Sequence, residues 1–570
     1  MTRLKSRPFS PRLQWQLEQQ GVPSLLARIY AARGVQAKSE LDYAAKLLIP
    51  PAQLTHAGEA AVLLADALEA QAHILIVADY DCDGATACAV GVRALRAMAG
   101  EGGSEISYLV PNRFTQGYGL SPEIVDQAAA RHPDLLVTVD NGIASIDGVA
   151  RAAELGIATL ITDHHLPGEQ LPGADCIVNP NQPGCAFPSK SLAGVGVMFY
   201  VMLALRAELR ERAWFAERGI AEPNLATLLD LVALGTVADV VSLDRNNRIL
   251  VSQGLRRMRE GKINPGLRAL FHAAGRDPAK AGSVDLGFMI GPRLNAAGRL
   301  ADMSLGIEAL ITDDAARALN IARQLDAYNR ERKEIEADMQ AQALTFLDTI
   351  DPQESAAISL FDADWHQGVI GILASRIKEQ YHRPVFAFAR SEGGELKGSG
   401  RSINGLHLRD ALDLIAKREP GLLKRFGGHA MAAGATILEA DFPRFGELFA
   451  QIASELLSPA DLTHTLETDG PLESSHFSIL SARLLEDEVW GQGFPAPLFE
   501  DEFIVENQRI LKEKHLKLRL NKDGTVIEAI QFNFSTTPGQ RIRAAYRLSV
   551  NEYNGVQTPQ LMIEYLENVA

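Results

Sequence analysis

Between Ile74 and Asn179 the sequence alternates short, β-rich apolar runs with helical stretches. The apolar runs are ILIVAD, EISYLVPNR, LLVTVDNG, ATLITDHH and CIVN, and an alanine-rich stretch typical of a helix follows the first of them. Strands that are separated by helices indicate βαβ units, in which neighbouring strands run parallel. The sequence therefore predicts an α/β fold with a doubly wound, mostly parallel sheet.

The rest of the chain is too long to share one hydrophobic core with this sheet, because it brings the total to 570 residues. Residues 313–347 contain no glycine or proline, which predicts one long helix that connects two lobes. A second α/β segment extends from Ala356 to about residue 456. After Pro459, short β-type runs separated by the turn signals NKDG and NEYNG indicate a small antiparallel barrel.

Composition indicates an ordinary globular protein, with 46% hydrophobic and 22% charged residues. No apolar run is long enough to span a membrane, and the N-terminus lacks the apolar segment of a secretory signal. The cysteines have no zinc-binding spacing, so we expect reduced thiols and a cytoplasmic protein. These cysteines are Cys82, Cys88, Cys176 and Cys185.

The net charge of −15 at first argues against a nucleic-acid partner, because phosphate binding requires Lys and Arg. Net charge is a sum over the whole chain, however, whereas a nuclease needs positive charge only along its groove. A carboxylate-rich metal site would also add to the negative total. The charge therefore weakens a nucleic-acid hypothesis without excluding it.

Acidic and histidine side chains end three of the predicted strands, and a further Asp ends a helical stretch. The motifs are DYDCDG, VDNG, DHH and ALGTVADV, and they contain Asp79, Asp81, Asp83, Asp140, Asp163, His164, His165 and Asp239. Ligands gather at the carboxyl ends of the strands in an open parallel sheet. We therefore expect these side chains to converge in one crevice.

So many carboxylates in one crevice require a neutralising charge, because carboxylates a few ångströms apart raise each other's pKa. Mixed Asp and His ligation without Cys favours Mg²⁺ or Mn²⁺, and two such ions can clamp a phosphoryl group during hydrolysis. A Ca²⁺ loop of the helix-loop-helix type would need Glu at its twelfth position, where this chain has Val90. The sequence therefore predicts a two-metal site.

These motifs resemble those of the DHH phosphoesterase superfamily, in their order and in their residue types. The resemblance implies two divalent cations, Mn²⁺ or Mg²⁺, bridged by Asp140. It places Asp79 and Asp81 on one ion, and Asp83, His164 and Asp239 on the other. The expected catalytic residues are Asp81, Asp83, Asp140, His164, His165 and Asp239. His165 is expected to meet the substrate phosphate, and Asp163 to orient a histidine.

Three further segments carry candidate phosphate ligands. GPRLNAAGR contains Arg293, Asn295 and Arg299, for which surface salt bridges are the alternative. In KGSGRSI and RFGGHAMAAG, glycines flank Ser399, Arg401 and His429, and the second segment matches the GGH motif of DHH-associated domains. Arg113 is a fourth candidate, with a loop salt bridge as the alternative.

The C-terminal segment distinguishes this chain from the small members of the superfamily. KEKHLKLRL places Lys512, Lys514, His515, Lys517 and Arg519 on one strand, with Phe532, Phe534 and Tyr546 as aromatic platforms nearby. That combination is typical of OB-folds that hold single strands, although a polar, solvent-facing strand is an alternative.

The resemblance is most specific to the branch of the superfamily formed by single-strand-specific exonucleases. It implies 5′→3′ digestion of single-stranded DNA to 5′-mononucleotides in recombination and repair by a monomer, with single-strand-binding protein and a helicase among the suggested partners. A phosphodiesterase acting on short oligoribonucleotides or cyclic dinucleotides and a non-catalytic replication scaffold are the alternatives. GQGFPAPLF departs from the expected pattern, because Phe494 replaces an expected Asn.

The domain limits follow from these segments. We expect a helical segment at 1–50, a DHH catalytic domain at 51–312, a connecting helix at 313–347, a second α/β DHH-associated domain at 348–456 and an OB-like barrel at 457–570.

Overall fold

The computed structural model describes residues 2–112, 116, 118–347 and 355–569. The chain divides into two compact units. One consists of Ser6–Ala327 and Thr468–Ala570, and the other of Met1–Lys5 and Tyr328–Glu467. Among the described residues, no helix combines the length and the apolar character needed to cross a membrane.

The part of the chain up to residue 347 contains the parallel sheet and most of the helices. Its elements are β1 (Arg3–Ser6), α1 (Pro11–Gln19), α2 (Ser24–Ala32), α3 (Ala57–Glu69), β2 (Ile74–Ala78), α4 (Cys82–Ala99), β3 (Ile106–Leu109), α5 (Pro122–Ala129), β4 (Leu135–Val139), α6 (Ile146–Glu154), β5 (Ala158–Thr162), β6 (Cys176–Val178), α7 (Gly194–Glu211), α8 (Trp214–Arg218), α9 (Leu229–Ala238), α10 (Arg245–Arg259), α11 (Pro265–Ala273), α12 (Ser283–Asp285), α13 (Gly291–Leu300), α14 (Ser304–Ile311) and α15 (Ala315–Leu347). A π-helical segment, Leu286–Ile290, precedes α13.

The first sheet has the strand order β3-β2-β4-β5-β6, and all its strands run parallel. Successive side chains of a strand enter different cores. In β2, for example, Ile74 and Ile76 belong to one core, whereas Leu75 and Val77 belong to the other. Both faces of the sheet are therefore covered, which is why its strands are apolar throughout. The predicted doubly wound, parallel fold is confirmed.

The long helix α15 begins at Ala315, two residues after the start of the predicted stretch. Its start is explained by Asp314, whose side chain accepts hydrogen bonds from the backbone N–H groups of Ala316 (2.8 Å) and Arg317 (3.2 Å). Carboxylates satisfy the free N–H groups of a first helical turn in this way. The boundary between the two units falls inside this helix, after Ala327.

The unit that contains Tyr328–Glu467 has a second α/β sheet. Its remaining elements are β7 (Ile358–Asp362), α16 (Ile370–Tyr381), β8 (Val385–Arg390), β9 (Glu395–Arg401), α17 (Leu408–Arg418), β10 (Arg425–Gly428), β11 (Ala432–Leu438), α18 (Phe442–Leu456) and β12 (Thr465–Thr468). The sheet order is β10-β11-β9-β8-β7, with β7 and β8 parallel and the other pairs antiparallel. β12 pairs with β1 in a separate two-stranded sheet. The predicted second α/β domain is confirmed.

The C-terminal segment forms the predicted barrel. It contains α19 (Ile479–Glu486), β13 (Phe499–Leu511), β14 (His515–Lys522), β15 (Thr525–Gln531), β16 (Arg541–Tyr553) and β17 (Val556–Asn568), and the strands close in the order β13-β14-β15-β17-β16. The prediction of an antiparallel barrel is wrong for one pair, because β15 and β17 run parallel. In β14, Leu516, Leu518 and Leu520 are buried, and the basic residues between them face outward.

One of the three predicted aromatic platforms on this barrel is wrong. Tyr546 is fully buried, and its hydroxyl donates a 2.6 Å hydrogen bond to Asp501. A buried ring cannot stack on a base. The hydrogen bond to Asp501 satisfies the Tyr546 hydroxyl, which burial would otherwise leave unpaired. Phe532, by contrast, is 51% exposed.

Two other sequence features have structural explanations. None of the four cysteines forms a disulfide in the structure, and reduced thiols stay a prediction. Phe494 is buried, its ring stacks on that of Trp490 with 5.4 Å between centroids, and the guanidinium of Arg248 lies 4.2 Å from the Phe494 centroid. The unexpected phenylalanine therefore belongs to an aromatic core.

Candidate metal centre

The first acidic loop connects β2 to α4 and fixes two carboxylates through backbone hydrogen bonds. Asp81 caps α4, and its side chain accepts a 3.0 Å hydrogen bond from Gly84 N. Asp83 lies in the first turn of α4 and is fully buried. Its two oxygens accept hydrogen bonds from Gly194 N (2.6 Å) and Val195 N (2.9 Å), so the start of α7 holds this carboxylate in place.

Asp140 directly follows β4 and adopts an uncommon backbone conformation, with φ of +63°. Its N–H donates to the carbonyl of Thr162 (3.0 Å), and its carbonyl accepts a hydrogen bond from the Tyr118 hydroxyl (3.0 Å). The next residue, Asn141, is buried and donates to the carbonyls of Val77 and Val139. The strand end is therefore held on both sides, which turns the Asp140 carboxylate toward the first acidic loop.

The DHH tripeptide follows β5, and its Asp163 organises the two histidines. Oδ1 of this buried carboxylate accepts hydrogen bonds from the backbone N–H groups of His164 (2.7 Å) and His165 (3.1 Å). The same oxygen lies 2.7 Å from Nδ1 of the His165 ring. Asn181 and Asn179 donate to the carbonyls of His164 and His165, respectively. Asp163 thus orients a histidine and lies behind the carboxylate cluster.

Asp239 follows the last residue of α9, and close packing brings that helix to the site. A Cβ on Gly235 would lie 2.2 Å from Oγ1 of Thr86 and 2.9 Å from Oδ1 of Asp83, so only glycine allows this approach. The backbone N–H of Asp239 still donates to the Gly235 carbonyl. The end of a helix, rather than of a strand, supplies this carboxylate.

The predicted ligand side chains lie together in three overlapping groups, in each of which the ligand atoms lie within 4.8 Å of one another. The groups are Asp79 with Asp81 and Asp140, Asp83 with His164 and Asp239, and Asp140 with His164 and His165. Nε2 of His164 lies 3.1 Å from Oδ1 of Asp140 and 3.5 Å from Oδ2 of Asp239. Asp140 is shared by the first and third groups, so it stands between two possible ion positions.

Electrostatics at the cluster disfavours charged carboxylates in the absence of a cation. Burial, followed by the charge of Asp81, raises the pKa of Asp83 to about 7. Burial and the charge of Asp83 raise the pKa values of Asp140 and Asp239 well above the usual range. Neighbouring carboxylates that cannot all ionise are the expected signature of a site that needs positive charge.

His165 has the opposite electrostatic environment. Burial by itself lowers the pKa of His165, but its hydrogen bond to Asp163 and the surrounding carboxylates raise it to about 9. Burial also raises the pKa of Asp163, but the hydrogen bond and the charge of His165 outweigh it and bring the pKa below its usual value. The pair therefore favours a carboxylate and an imidazolium, which can attract an anion.

The donor set fits a pair of divalent cations. Oδ1 of Asp140 and Oδ2 of Asp239 are buried and accept no hydrogen bond from any described residue. A buried carboxylate oxygen without a partner costs free energy unless a cation coordinates it. Oxygen ligands with one or two imidazoles and no thiolate are the ligands that Mg²⁺ and Mn²⁺ accept.

Two of the predicted phosphate ligands on α13 already have protein partners. Arg293 is buried, and its Nε and Nη2 lie 3.0 and 2.9 Å from Oδ1 of Asp326. Oδ1 of Asn295 accepts a 2.8 Å hydrogen bond from Cys82 N, within the first acidic loop. Arg299 is half-buried near the end of α13. Phosphate binding by these residues stays a prediction.

The other predicted phosphate ligands lie elsewhere in the chain. Ser399 and Arg401 are neighbours on β9, where Nη1 of Arg401 donates to Oγ of Ser399 at 3.2 Å. His429 lies in the turn between β10 and β11, and its N–H donates to the Ala432 carbonyl. All three belong to the unit that contains Tyr328–Glu467. Arg113 lies outside the described residues.

Sequence reasoning missed several residues that hold the site together. The Tyr118 hydroxyl lies 3.1 Å from Nδ1 of His165, in addition to its bond to Asp140. A Cβ on Gly194 would lie 2.6 Å from Oδ1 of Asp140. Asn179 follows β6 directly, so its position after a predicted strand could have indicated it. Gly194 had no comparable signal, because its role depends on contacts between distant segments.

Comparison with known proteins gives matches along most of the chain. Family models match at residues 73–236 (DHH family, N-terminal domain), 353–455 (DHHA1 domain) and 468–565 (RecJ OB domain). The chain is 52% identical over 556 residues to the single-stranded-DNA-specific exonuclease RecJ of Dickeya dadantii, with 96% of each chain covered.

Solved structures agree. The crystal structure of RecJ from Thermus thermophilus in complex with Mn²⁺ has a TM-score of 0.82 at 31% identity, covering 100% of this chain and 79% of that one. The complex of the same protein with Mg²⁺ gives 0.76 at 29% identity, covering 100% of this chain and 78% of that one. Because the similarity in sequence and in fold extends over nearly the entire chain, the protein belongs to the RecJ family.

Proposed function

We propose that this protein is a metal-dependent exonuclease that degrades single-stranded DNA in the 5′→3′ direction to 5′-mononucleotides, in recombination and repair. The observation that carries the proposal is the cluster of Asp79, Asp81, Asp83, Asp140, His164 and Asp239. Every ligand expected from the superfamily motifs is present and within reach of its neighbours. Similarity to single-stranded-DNA-specific exonucleases over 96% of the chain supports the choice of substrate.

The cluster would hold two divalent cations, Mn²⁺ or Mg²⁺. Asp79 and Asp81 would bind one ion, Asp83, His164 and Asp239 the other, and Asp140 both. When bound, the ions neutralise the carboxylates, lower the pKa of an attacking water and stabilise the charge that develops on the phosphate.

The protein's own residues have three tasks in this proposal. The start of α7 fixes Asp83 through two backbone hydrogen bonds, so its oxygens cannot rotate away from the cluster. Asp163 holds His165 through Nδ1, and Nε2 of the same ring would meet a phosphate oxygen. Ser399, Arg401 and His429 are proposed substrate ligands, and so are Arg113, Arg293 and Arg299.

Digestion of DNA labelled at either end tests metal need, strand preference and polarity together. We expect rapid loss of single-stranded substrate with Mn²⁺ or Mg²⁺, release of mononucleotides from the 5′ end, and little digestion of blunt duplex. EDTA should stop the reaction, because the carboxylate cluster then lacks its cations. Digestion that continues in EDTA, or that starts from the 3′ end, would contradict the proposal. Equal rates on dinucleotides and on long strands would instead favour the small-substrate phosphodiesterase.

The barrel supplies a second contact with single strands, and Phe532 is its most exposed aromatic platform. The centroid of the Phe532 ring lies 5.1 Å from that of His515, and Lys517 and Arg519 face outward on the same strand as His515. Lys517 and Arg519 already form ion pairs with Glu528 (3.0 Å) and Glu506 (3.2 Å), which reduces the positive charge offered to phosphates. Stacking on the ring should therefore contribute more than charge.

Phe532→Ala should weaken binding of an oligothymidylate by about 1–3 kcal/mol, the usual contribution of one stacked base. Fluorescence anisotropy with labelled DNA and an inactive enzyme measures this loss directly. Tyr553→Ala is the matched control, since it removes a 73% exposed aromatic ring at the tip of the β16–β17 hairpin. Unchanged affinity of Phe532→Ala would remove this face from the DNA path.

We also propose that the protein acts in the cytoplasm as a monomer, with single-strand-binding protein and a helicase as partners. The family resemblance supports these points, and sedimentation and pull-down experiments with the purified chain test them. The domain limits at residues 50, 312, 347 and 456 likewise stay proposals, for which limited proteolysis is the test.

A further inference from the structure

Helix α13 contacts the backbone of the first acidic loop at two places. Oδ1 of Asn295 accepts a 2.8 Å hydrogen bond from Cys82 N. One turn further along, Gly298 approaches the Tyr80 carbonyl so closely that a Cβ would lie 1.9 Å from its oxygen. Because residues three apart lie on the same face of a helix, one face of α13 makes both contacts.

The two loop residues that α13 contacts alternate with the three predicted metal ligands. Tyr80 lies between Asp79 and Asp81, and Cys82 lies between Asp81 and Asp83. A hydrogen bond at Cys82 N fixes the peptide plane between Asp81 and Cys82, and so restricts the direction in which the Asp81 side chain leaves the loop. The helix therefore supports the loop through two contacts with the loop backbone, at Cys82 N and at the Tyr80 carbonyl.

The beginning of α13 is itself anchored. Arg293 forms a buried ion pair with Asp326 of α15, and its Nη1 donates a hydrogen bond to the Met289 carbonyl. The side-chain oxygen of Asn295 is already hydrogen-bonded, and the helix that carries Asn295 is fixed at its start. Asn295 therefore has little freedom to reach a substrate. The motif GPRLNAAGR thus combines an anchor, a hydrogen-bond acceptor and a glycine that permits close approach.

We propose that Asn295 is a positioning residue that holds the first acidic loop in the geometry required for metal binding, rather than a ligand of the substrate phosphate. This inference rests on the proposed two-metal site. This role requires the side-chain oxygen of Asn295, which accepts the hydrogen bond that the loop donates from Cys82 N. A phosphate ligand would need the opposite group, the amide N–H₂, since phosphate oxygens only accept hydrogen bonds.

Two substitutions separate these roles. Asn295→Ala removes acceptor and donor together, whereas Asn295→Asp keeps an acceptor oxygen of the same shape and removes the donor. We expect Asn295→Ala to bind Mn²⁺ about tenfold more weakly, as is common when a group that supports a metal ligand is lost. Asn295→Asp should retain the affinity of the wild type. Electron paramagnetic resonance of free Mn²⁺ measures both affinities without any turnover.

Hydrogen exchange of the metal-free protein gives an independent readout. The Cys82 N–H should exchange faster in Asn295→Ala than in the wild type, and at the wild-type rate in Asn295→Asp. The control is Asn264→Ala, which removes a buried acceptor of two backbone hydrogen bonds, from Gly266 and Leu267 at the start of α11. It should lower stability and leave both Mn²⁺ affinity and exchange at Cys82 unchanged.

Wild-type Mn²⁺ affinity in Asn295→Ala would overturn the inference, as would a raised KM shared by Asn295→Ala and Asn295→Asp at unchanged Mn²⁺ affinity. A wild-type protein that binds no Mn²⁺ would overturn the proposed metal site instead. The two failures are therefore distinguishable, because the second is seen before any substitution is made.

Discussion

Asp140→Asn should lower kcat on single-stranded DNA by about a thousandfold or more, with the fold intact. Asp140 is the carboxylate shared between two groups of potential ligands, so its loss weakens the position of both cations at once. Removing about 4 kcal/mol of transition-state stabilisation corresponds to this factor, and metal ions supply several kcal/mol in such reactions. Asparagine is the appropriate replacement because it adopts the φ of +63° at this position more readily than alanine does.

The same substitution should make the metal-free protein more stable, although it lowers kcat. The pKa of Asp140 is raised by burial and by the charge of Asp83, so its ionised form is disfavoured in the folded state. The stability that this group contributes is present below its unfolded pKa and is lost as pH rises through its folded pKa. At neutral pH, Asp140→Asn in EDTA should therefore melt at a higher temperature than the wild type.

Calorimetry with and without Mn²⁺ measures both effects. The wild type should gain a large increase in melting temperature on addition of Mn²⁺, and the variant a small one. Asp523→Asn is a suitable control, since Asp523 also has a positive φ, +50°, but is exposed in the turn between β14 and β15. Turnover of Asp140→Asn within tenfold of the wild type would rule out a bridging role.

Periodicity and turn signals were sufficient to predict most of the architecture. Each apolar run of the first sheet became a parallel strand, because a strand that is buried on both faces needs apolar residues throughout. The interruptions NKDG and NEYNG became barrel turns for an equally local reason: Gly524 and Gly555 have positive φ there. Local chemistry decides these features, so a single sequence reveals them.

The predictions that failed or stayed open depend on contacts between distant segments. Tyr546 has the composition of a base-stacking residue, yet it points into the barrel, and only the strand register determines that direction. Arg293 and Asn295 have the side chains of phosphate ligands, yet the structure gives them partners on α15 and on the first acidic loop. Residue type alone does not reveal which partner a polar group finds.

The roles of the glycines at the metal centre also depend on contacts between distant segments, and Gly194 is the clearest example. At the start of α7, Gly194 donates its N–H to Oδ2 of Asp83 at 2.6 Å. A Cβ at this position would lie 2.6 Å from Oδ1 and 2.7 Å from Cβ of Asp140. Gly194 therefore packs between two carboxylates that belong to different groups of potential ligands.

Gly194→Ala should lower kcat by about a hundredfold, the upper end of effects seen for groups that support metal ligands. The methyl group cannot be accommodated by a retreat of α7, because that movement would lengthen the hydrogen bond to Asp83. The methyl group would instead displace the side chain of Asp140, whose backbone is held by Thr162 and Tyr118. The measurements are kcat at saturating Mn²⁺ and the affinity for Mn²⁺, both of which should fall.

The matched control is Gly58→Ala, the same substitution at a position of α3 where a Cβ would meet no described atom within 4 Å. Because alanine favours helices over glycine by up to about 1 kcal/mol, Gly58→Ala should be neutral or slightly stabilising and leave kcat unchanged. Gly194→Ala should displace the Asp140 carboxylate, and a carboxylate that binds both cations cannot move without weakening them. Wild-type kcat together with wild-type Mn²⁺ affinity in this variant would therefore contradict a shared role for Asp140. The bridging geometry would then be wrong even if the cluster still bound cations.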